Sequence, residues 1–378
     1  MRYGMNPHQA AHEMNGNKPL TVINGEPSYI NYLDALNAWQ LVIEARDAVK
    51  VPVAASFKHV SPAGVATAGA LDACTLETWG LSVAENNSLM SCYARARDAD
   101  PKSSLGDVIA VSEPVDHELA EFVRTVVADA IVAPSFESGA VAKLSAKKGG
   151  GFLIFEADRE YRPPEWEIRD VFGMRFEQQR DAFPISAELL QTESLEKKQV
   201  IDSLLSLVTL RYTQSNSVVL AHSGTCVGIG AGQQSRVDCV RLAAAKARTW
   251  WLRRHPMVRE LNRIDGMTRQ DRLNWQIRFA EGAMTALQLR EFTSIFGSEA
   301  ANSFLSTSWR DAWLSSLTGL TLASDGFLPF RDSVDYASEV GVTTIIEPGG
   351  SIRTSEVRQA AQELRMRHIE TALRLFHH

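Results

Sequence analysis

The chain has 378 residues, 45% hydrophobic and 22% charged, which is ordinary globular composition and enough for two domains. A net charge of −6 excludes a global basic field for nucleic acid or anionic lipid, so a bound phosphate would need local arginines. No apolar run approaches the ~20 residues of a membrane span, the N-terminal MRYGMNPHQAAHEMNG lacks the apolar core of a signal peptide, and Cys74, Cys92, Cys226 and Cys239 form no C-x-x-C pair. The expectation is a cytoplasmic protein without structural zinc or a disulfide scaffold.

Taken in chain order, short runs rich in Val, Ile and Ala read as strands at 51–57, 107–112, 130–135, 217–224, 226–232 and 342–350. Helix-period segments lie between them. DHELAEFVRTVVAD places Leu119, Phe122, Val123 and Val126 on one face, and SEVRQAAQELRMRH follows an N-cap candidate, Thr354 or Ser355. Alternating strands and helices mean α/β layers. The stretch PVDHELAEFVRTVVADAIVAPSFESGAV resembles SVDYASEVGVTTIIEPGGSIRTSEV: each runs helix, strand, proline (Pro134 or Pro348), loop, helix. That likeness favours two similar α/β units over one large sheet. EADREYRPPEWEIRD, with Pro163-Pro164, marks the division, giving units over 1–163 and 164–378. The second unit carries a helical insertion at about 237–318, which holds five of the eight tryptophans. The terminal ALRLFHH alternates like a strand.

Three stretches could carry chemistry. In AASFKHVSPAG, Lys58 and His59 end a run in which four of seven residues are Val or Ala, so the strand reads as buried on both faces. Pro62 and Gly64 read as a tight turn beyond the carboxyl end of that strand, where ligands gather in α/β layers. An arbitrary Lys-His pair is more often plain surface; the buried strand before it is what raises this one. GIGAGQQSR has G-x-G-x-G, not the G-x-G-x-x-G of a dinucleotide fingerprint. Its glycines still let backbone amides approach a ligand, with Arg236 directly after. RYTQSNS, residues 211–217, is a polar loop that turn chemistry alone would explain.

Together, RYGMNPHQ, SFKHVSPAG, YARARDADPKSSLGD, YTQSNSVV, GIGAGQQSR, WWLRRHP, LPFRD and LRLFHH resemble the AICAR transformylase domain of bifunctional purine-biosynthesis proteins, from Arg2 to His378. The resemblance implies two tandem cytidine-deaminase-like three-layer units with an inserted helical region. It implies transfer of a formyl group from 10-formyltetrahydrofolate to the 5-amino group of aminoimidazole carboxamide ribonucleotide (AICAR), giving formyl-AICAR on the way to IMP. Lys58, His59 and Asn216 then match the catalytic set, with His59 as base, Lys58 at the oxyanion or leaving N10, and Asn216 orienting the amine and carboxamide. Arg2, Tyr3, Gly106, Asp129 and Arg374 match nucleotide contacts. Arg236, Phe327 and Asp332 match residues around the folate and formyl group, and Gly350 and Ser351 match the loop at the pterin pocket. The family does not use zinc, and the H-x-E…P-C-x-x-C signature of zinc deaminases is missing. Some relatives bind potassium near YTQSNS, which makes Asp325 and Thr213 the candidates.

The family works as a homodimer with active sites between subunits, and the Trp-rich helices would supply the interface. In bifunctional relatives a cyclohydrolase domain of roughly 200 residues, one ordinary domain, precedes RYG. The expectation is that ring closure belongs to a separate IMP cyclohydrolase. Formylation of a different aminoimidazole nucleotide, or nucleotide binding without catalysis, remain as alternatives.

Overall fold

The computed structural model describes residues 1–14, 16–82, 88–190, 195–261 and 264–378. Strand β1 (Leu20–Asn24) leads to helix α1 (Tyr29–Val49), which begins where the Ser28 N–H and hydroxyl both donate to Asn31 Oδ1, at 2.9 and 2.8 Å. It ends at Lys50 in the left-handed conformation. Then come β2 (Val53–Lys58), β3 (Ser61–Thr67), α2 (Ala73–Trp79), α3 (Leu89–Ala99), β4 (Asp107–Val111), α4 (His117–Thr125), β5 (Ala128–Ala133), α5 (Ala140–Ser145) and β6 (Leu153–Ala157). An exposed hairpin, β7 (Trp166–Val171) and β8 (Met174–Gln179), precedes α6 (Lys197–Arg211), β9 (Val218–His222) and β10 (Thr225–Gly230). Five helices follow: α7 (Arg236–Leu252), α8 (Pro256–Arg259), α9 (Arg269–Glu281), α10 (Ala286–Leu305) and α11 (Ser308–Leu314). The chain closes with β11 (Leu320–Ser324), α12 (Asp332–Glu339), β12 (Val342–Glu347), α13 (Thr354–Glu363) and β13 (Arg367–Glu370).

Apart from the hairpin, these strands form one mixed sheet of eleven, in the order β1-β6-β5-β4-β2-β3-β10-β9-β11-β12-β13. On each side of the β3–β10 junction the pattern repeats. A helix enters an antiparallel hairpin (α1 into β2–β3, α6 into β9–β10). A third strand pairs antiparallel with the first of the hairpin and two parallel strands follow; the first half alone adds β1, antiparallel to β6, at its edge. The two segments that look alike in sequence are α4–β5–α5 and α12–β12–α13, which hold the same place in each half. Helices α1 and α6 share one core on one face of the sheet. On the other face α3, α4 and α5 cover the first half, and α7, α12 and α13 the second. Strand residues divide between the faces with period two: Val53, Ala55 and Phe57 face α1, and Ala54 faces α3. The Trp-rich helices build a further core around Trp275, Phe279, Phe292 and Phe304.

Sequence and structure part in four places. The two halves do not keep separate sheets, as the sequence favoured, but are joined through the β3–β10 pairing into one large sheet. Pro62 and Gly64 are not a turn; they lie inside β3, which continues a two-residue hairpin from β2. Gly64 is required because its Cβ would stand 2.1 Å from the Ala96 carbonyl oxygen of α3, and Gly228 stands in the same relation to Ala243 of α7, also 2.1 Å. The terminal 371–378 segment is not a strand; it is irregular chain held by Leu375 N–H to Asp325 O (2.9 Å) and Ser215 N–H to His377 O (2.9 Å). Helix α13 starts at Thr354, so Arg353 occupies the cap position, without a side-chain cap.

Gly64→Ala and Gly228→Ala should each lower the unfolding free energy by ~1–3 kcal/mol, as overpacking of a close helix–strand approach does. Gly16→Ala, with nothing within 4 Å of its Cβ position, should stay within about 0.5 kcal/mol in the same urea titrations.

Candidate active site

His59 and Val60 form the whole connection between β2 and β3, with φ of 53° and 57°. Two positive φ values make this a primed hairpin turn, a place that Asn-Gly usually fills because a β-branched side chain crowds its own backbone there. The surroundings hold it. Asp34, buried on α1, accepts the Val60 N–H at 2.6 Å, and Lys58 Nζ donates to the Leu105 carbonyl oxygen. Burial pushes the Asp34 carboxyl above its usual range, opposed by the Val60 N–H, which pulls it down.

Gly106, φ 75°, follows Leu105 and leads into β4; the position its Cβ would take is 3.6 Å from the Asp129 carboxylate, itself paired with Lys148. Beneath this corner Asp107 is buried with Arg97 (2.8 Å), the Ser56 hydroxyl (2.6 Å) and the Tyr93 hydroxyl (3.1 Å), which fixes the start of β4 under Lys58. Arg2 and Tyr3 are tied to the start of α1: Arg2 N–H donates to Pro27 O and Tyr29 N–H to Tyr3 O, both at 3.0 Å. The Arg2 guanidinium lies 4.8 Å from the centre of the Tyr3 ring.

A second group gathers on the other half of the sheet. Asn216 Oδ1 accepts from Arg236 Nη2 at 2.9 Å, while its Nδ2 donates to Gln234 O at 3.1 Å, so both ends of the amide are oriented. Arg236 also donates to Ser217 O (3.1 Å) and to Asp325, whose other carboxylate oxygen accepts from the Ser215 hydroxyl (2.6 Å) and the Ser217 N–H (2.9 Å). The tail closes over this group, with the Phe376 ring beside Gly326 and the Arg374 guanidinium 4.8 Å from the Phe376 ring centre. Phe327, past the end of β11, is exposed, as is Asp332, the first residue of α12. Gly350 and Ser351 lie in the loop after β12, where the Ser351 hydroxyl accepts the Arg353 N–H at 3.1 Å.

Strand register brings the two groups to one end of the sheet. Ala66 of β3 pairs with Thr225 of β10 in antiparallel sense, and Gly230 pairs with Val218, so the His59 turn and the Ser215–Ser217 loop face the same way. In the first half this is the carboxyl end of β2 but the amino end of β4 and β5; in the second it is the carboxyl end of β11 and β12. No hydrogen bond or ion pair among the described residues joins the two groups directly. Leu105 and Ser215 lie inside quoted motifs without having been singled out, and Asp34 lies outside them; the signal for Asp34 was an acid on the apolar stripe of NYLDALNAWQ. Of the two potassium candidates, the Asp325 carboxylate accepts from Arg236, Ser215 and Ser217, and the Thr213 hydroxyl donates to Thr209 O at 2.6 Å.

The family model of the AICARFT/IMPCHase bienzyme matches residues 1–246, from the Arg2 end through the Lys58 turn, Asn216 and Arg236. The chain belongs to the AICARFT/IMPCHase bienzyme family. Two relatives extend the likeness to the whole chain. The bifunctional purine biosynthesis protein PurH of Roseobacter denitrificans is 29% identical over 388 aligned residues, and that of Cereibacter sphaeroides 30% identical over 388. The chain spans 59% of the length of each of these AICARFT/IMPCHase relatives.

Val60→Gly should raise stability by about 1 kcal/mol, since glycine adopts the left-handed conformation without the Cβ penalty. Thermal melts at matched pH check this; an equal loss would mean that the valine packs better than its backbone is strained.

Proposed function

We propose that this chain transfers the formyl group of 10-formyltetrahydrofolate to the 5-amino group of AICAR, as a step of purine biosynthesis in the cytoplasm. The observation that carries the reading is family membership over residues 1–246, within which Lys58 ends β2 and His59 opens the primed two-residue turn that follows. The AICAR amine is a poor nucleophile, because its lone pair is delocalised into the imidazole and carboxamide. As its nitrogen attacks the formyl carbon, His59 takes the proton that the amine loses; histidine is suited to this at neutral pH. The tetrahedral intermediate carries an oxyanion beside Lys58, whose ammonium keeps two N–H donors beyond the one on Leu105 O. Breaking the C–N10 bond then returns a proton to N10 and releases formyl-AICAR and tetrahydrofolate. Asn216, oriented by Arg236 and Gln234, would align the amine and carboxamide.

Arg2, Tyr3 and Arg374 would hold the phosphate, as planar guanidinium groups do well. Gly106 and Asp129 would meet the ribose, with Asp129 leaving Lys148 to accept from its hydroxyls. Arg236, Phe327, Asp332, Gly350 and Ser351 are assigned to the folate side. The repeated strand order supports reading the halves as tandem cytidine-deaminase-like units, over 1–163 and 164–378, with the helices of about 237–318 inserted in the second. Ring closure to IMP is assigned to a cyclohydrolase outside residues 1–378.

The working form would be a homodimer with sites shared between subunits. Support comes from the β7–β8 hairpin rather than the Trp-rich helices, most of whose aromatic rings are spent in their own core. Trp166, Ile168, Phe172, Met174 and Phe176 are all exposed on this hairpin, and Arg169 ties it to the tail through His378 O at 2.8 Å.

The direct test is formyl transfer measured with AICAR and 10-formyltetrahydrofolate, where no product sinks the proposal. His59→Ala should lower kcat by roughly 10² or more with a smaller change in nucleotide affinity, because base catalysis acts in the transition state; near-normal turnover would remove His59 from the mechanism. Arg374→Ala should instead weaken AICAR binding in calorimetry. Finally, inactive Lys58→Ala and Asn216→Ala chains, refolded together, should regain about a quarter of wild-type activity if each site takes these residues from different subunits of a two-fold dimer. No recovery, with subunit exchange verified by mass spectrometry, would show that both come from one chain.

A further inference from the structure

The β9–β10 hairpin repeats the catalytic corner at the opposite end of the sheet. Its turn, Ser223-Gly224, has φ of 51° and 76°, and both its N–H groups donate to Asp202 of α6, at 2.9 and 2.5 Å, as Val60 donates to Asp34. His222 takes the place of Lys58 and hydrogen-bonds the Thr318 backbone, the counterpart of Leu105. Beside this second turn lies a cavity of about 460 Å³. It lies at the other end of the sheet from every residue assigned to formyl transfer.

One wall is aromatic: His222 packs against Trp250 and Trp251, with ring centres 5.7 and 6.4 Å apart, and the Arg254 guanidinium is 3.9 Å from the Trp250 ring centre. Opposite is Arg95 of α3. Its Nη1 donates to Thr67 O at 2.6 Å and its Nη2 to Ser223 O, and it makes no ion pair with any described residue. By contrast, Arg254 is spent on Asp72 (2.7 Å) and Asp98 (3.0 Å). The chain makes room for Arg95: a Cβ on Gly69 would stand 2.4 Å from its Nη1. Burial lowers the Arg95 pKa, and the Asp202 and Asp72 carboxylates offset this only in part, so Arg95 has no direct ionic partner among the described residues. An anion would supply that partner, and a guanidinium using two of five N–H donors keeps others for it.

We propose that this cavity is a second ligand site, which binds a nucleoside monophosphate with its phosphate at Arg95 and the Ser223 hydroxyl and its base against Trp250 and Trp251. Cation, hydroxyl and indole wall together select a planar heterocycle joined to a phosphate, and the volume suits one such molecule.

The test is titration of the full chain with adenosine 5′-monophosphate, followed by tryptophan fluorescence. Saturable binding is expected, weakened about tenfold or more by Arg95→Ala and left unchanged by Arg374→Ala, with adenosine and inorganic phosphate each binding at least about tenfold more weakly. Because Arg95 also bonds two backbone carbonyls, Ala70→Trp provides an independent block: Ala70 is an exposed lining residue, and the larger ring should fill the mouth and abolish binding. Absence of binding to the wild-type chain overturns the proposal, as does binding that survives Ala70→Trp. Binding that disappears with Arg374→Ala also overturns it, since the ligand would then occupy the formyl-transfer end. The proposed formyl transfer stands or falls separately, on turnover.

Discussion

Antiparallel pairing of β3 with β10 is the constraint from which the rest of the molecule follows. It fuses two halves that share a five-strand order, the first with β1 added at its edge, into one eleven-stranded sheet and points their hairpins in opposite directions. At each end of the sheet, one half therefore presents a hairpin turn and the other presents the loop that enters its own hairpin. The two ends share a hairpin plan, but at the His222 end the helical region adds Trp250, Trp251 and Arg254. At one end stand Lys58 and His59 of the first half, with Asn216, Arg236 and Asp325 of the second; at the other stand His222 and Ser223 of the second half, with Arg95 of the first.

Both turns need positive φ at two consecutive residues, and both are held by a buried carboxylate on the preceding helix, Asp34 or Asp202. The burial that this requires pushes the Asp202 carboxyl up to about 6, despite two backbone N–H donors. The second turn uses Gly224, which tolerates the conformation. The first uses Val60, and the surrounding bonds to Asp34 and Leu105 must hold it there. A constrained turn fixes the direction of its side chains, which the roles proposed for His59 and Lys58 would need more than stability.

Buried strands were legible because both-face burial leaves continuous apolar runs, as in VAASF and DVIAV, and the duplication showed through Pro134 and Pro348 at the ends of matching strands. Strand β3 was not legible, because Pro62 and Gly64 punctuate its sequence while its environment overrides them: Ala96 of α3 fills the space of a Gly64 side chain. The β7–β8 hairpin read as a charged boundary because Pro163-Pro164 and its many charges dominate the stretch, although Trp166, Ile168, Met174 and Phe176 alternate with polar residues along its two exposed strands. Of the site, the ionisable and amide side chains were visible as motifs. Their supports were not, since Asp34 meets Val60, and Ser215 meets Asp325, only through long-range contacts that spacing does not encode.

The central claim is that chemistry belongs to the Lys58–His59 end of a duplicated sheet. A crystal structure of the chain with AICAR bound tests it most directly. The account predicts the 5-amino nitrogen within about 2.6–3.2 Å of a His59 ring nitrogen, the reach of a general base, with the phosphate on arginine side chains at that same end. AICAR bound with its amine turned away from His59, or seated only beside His222 and Arg95, would contradict it.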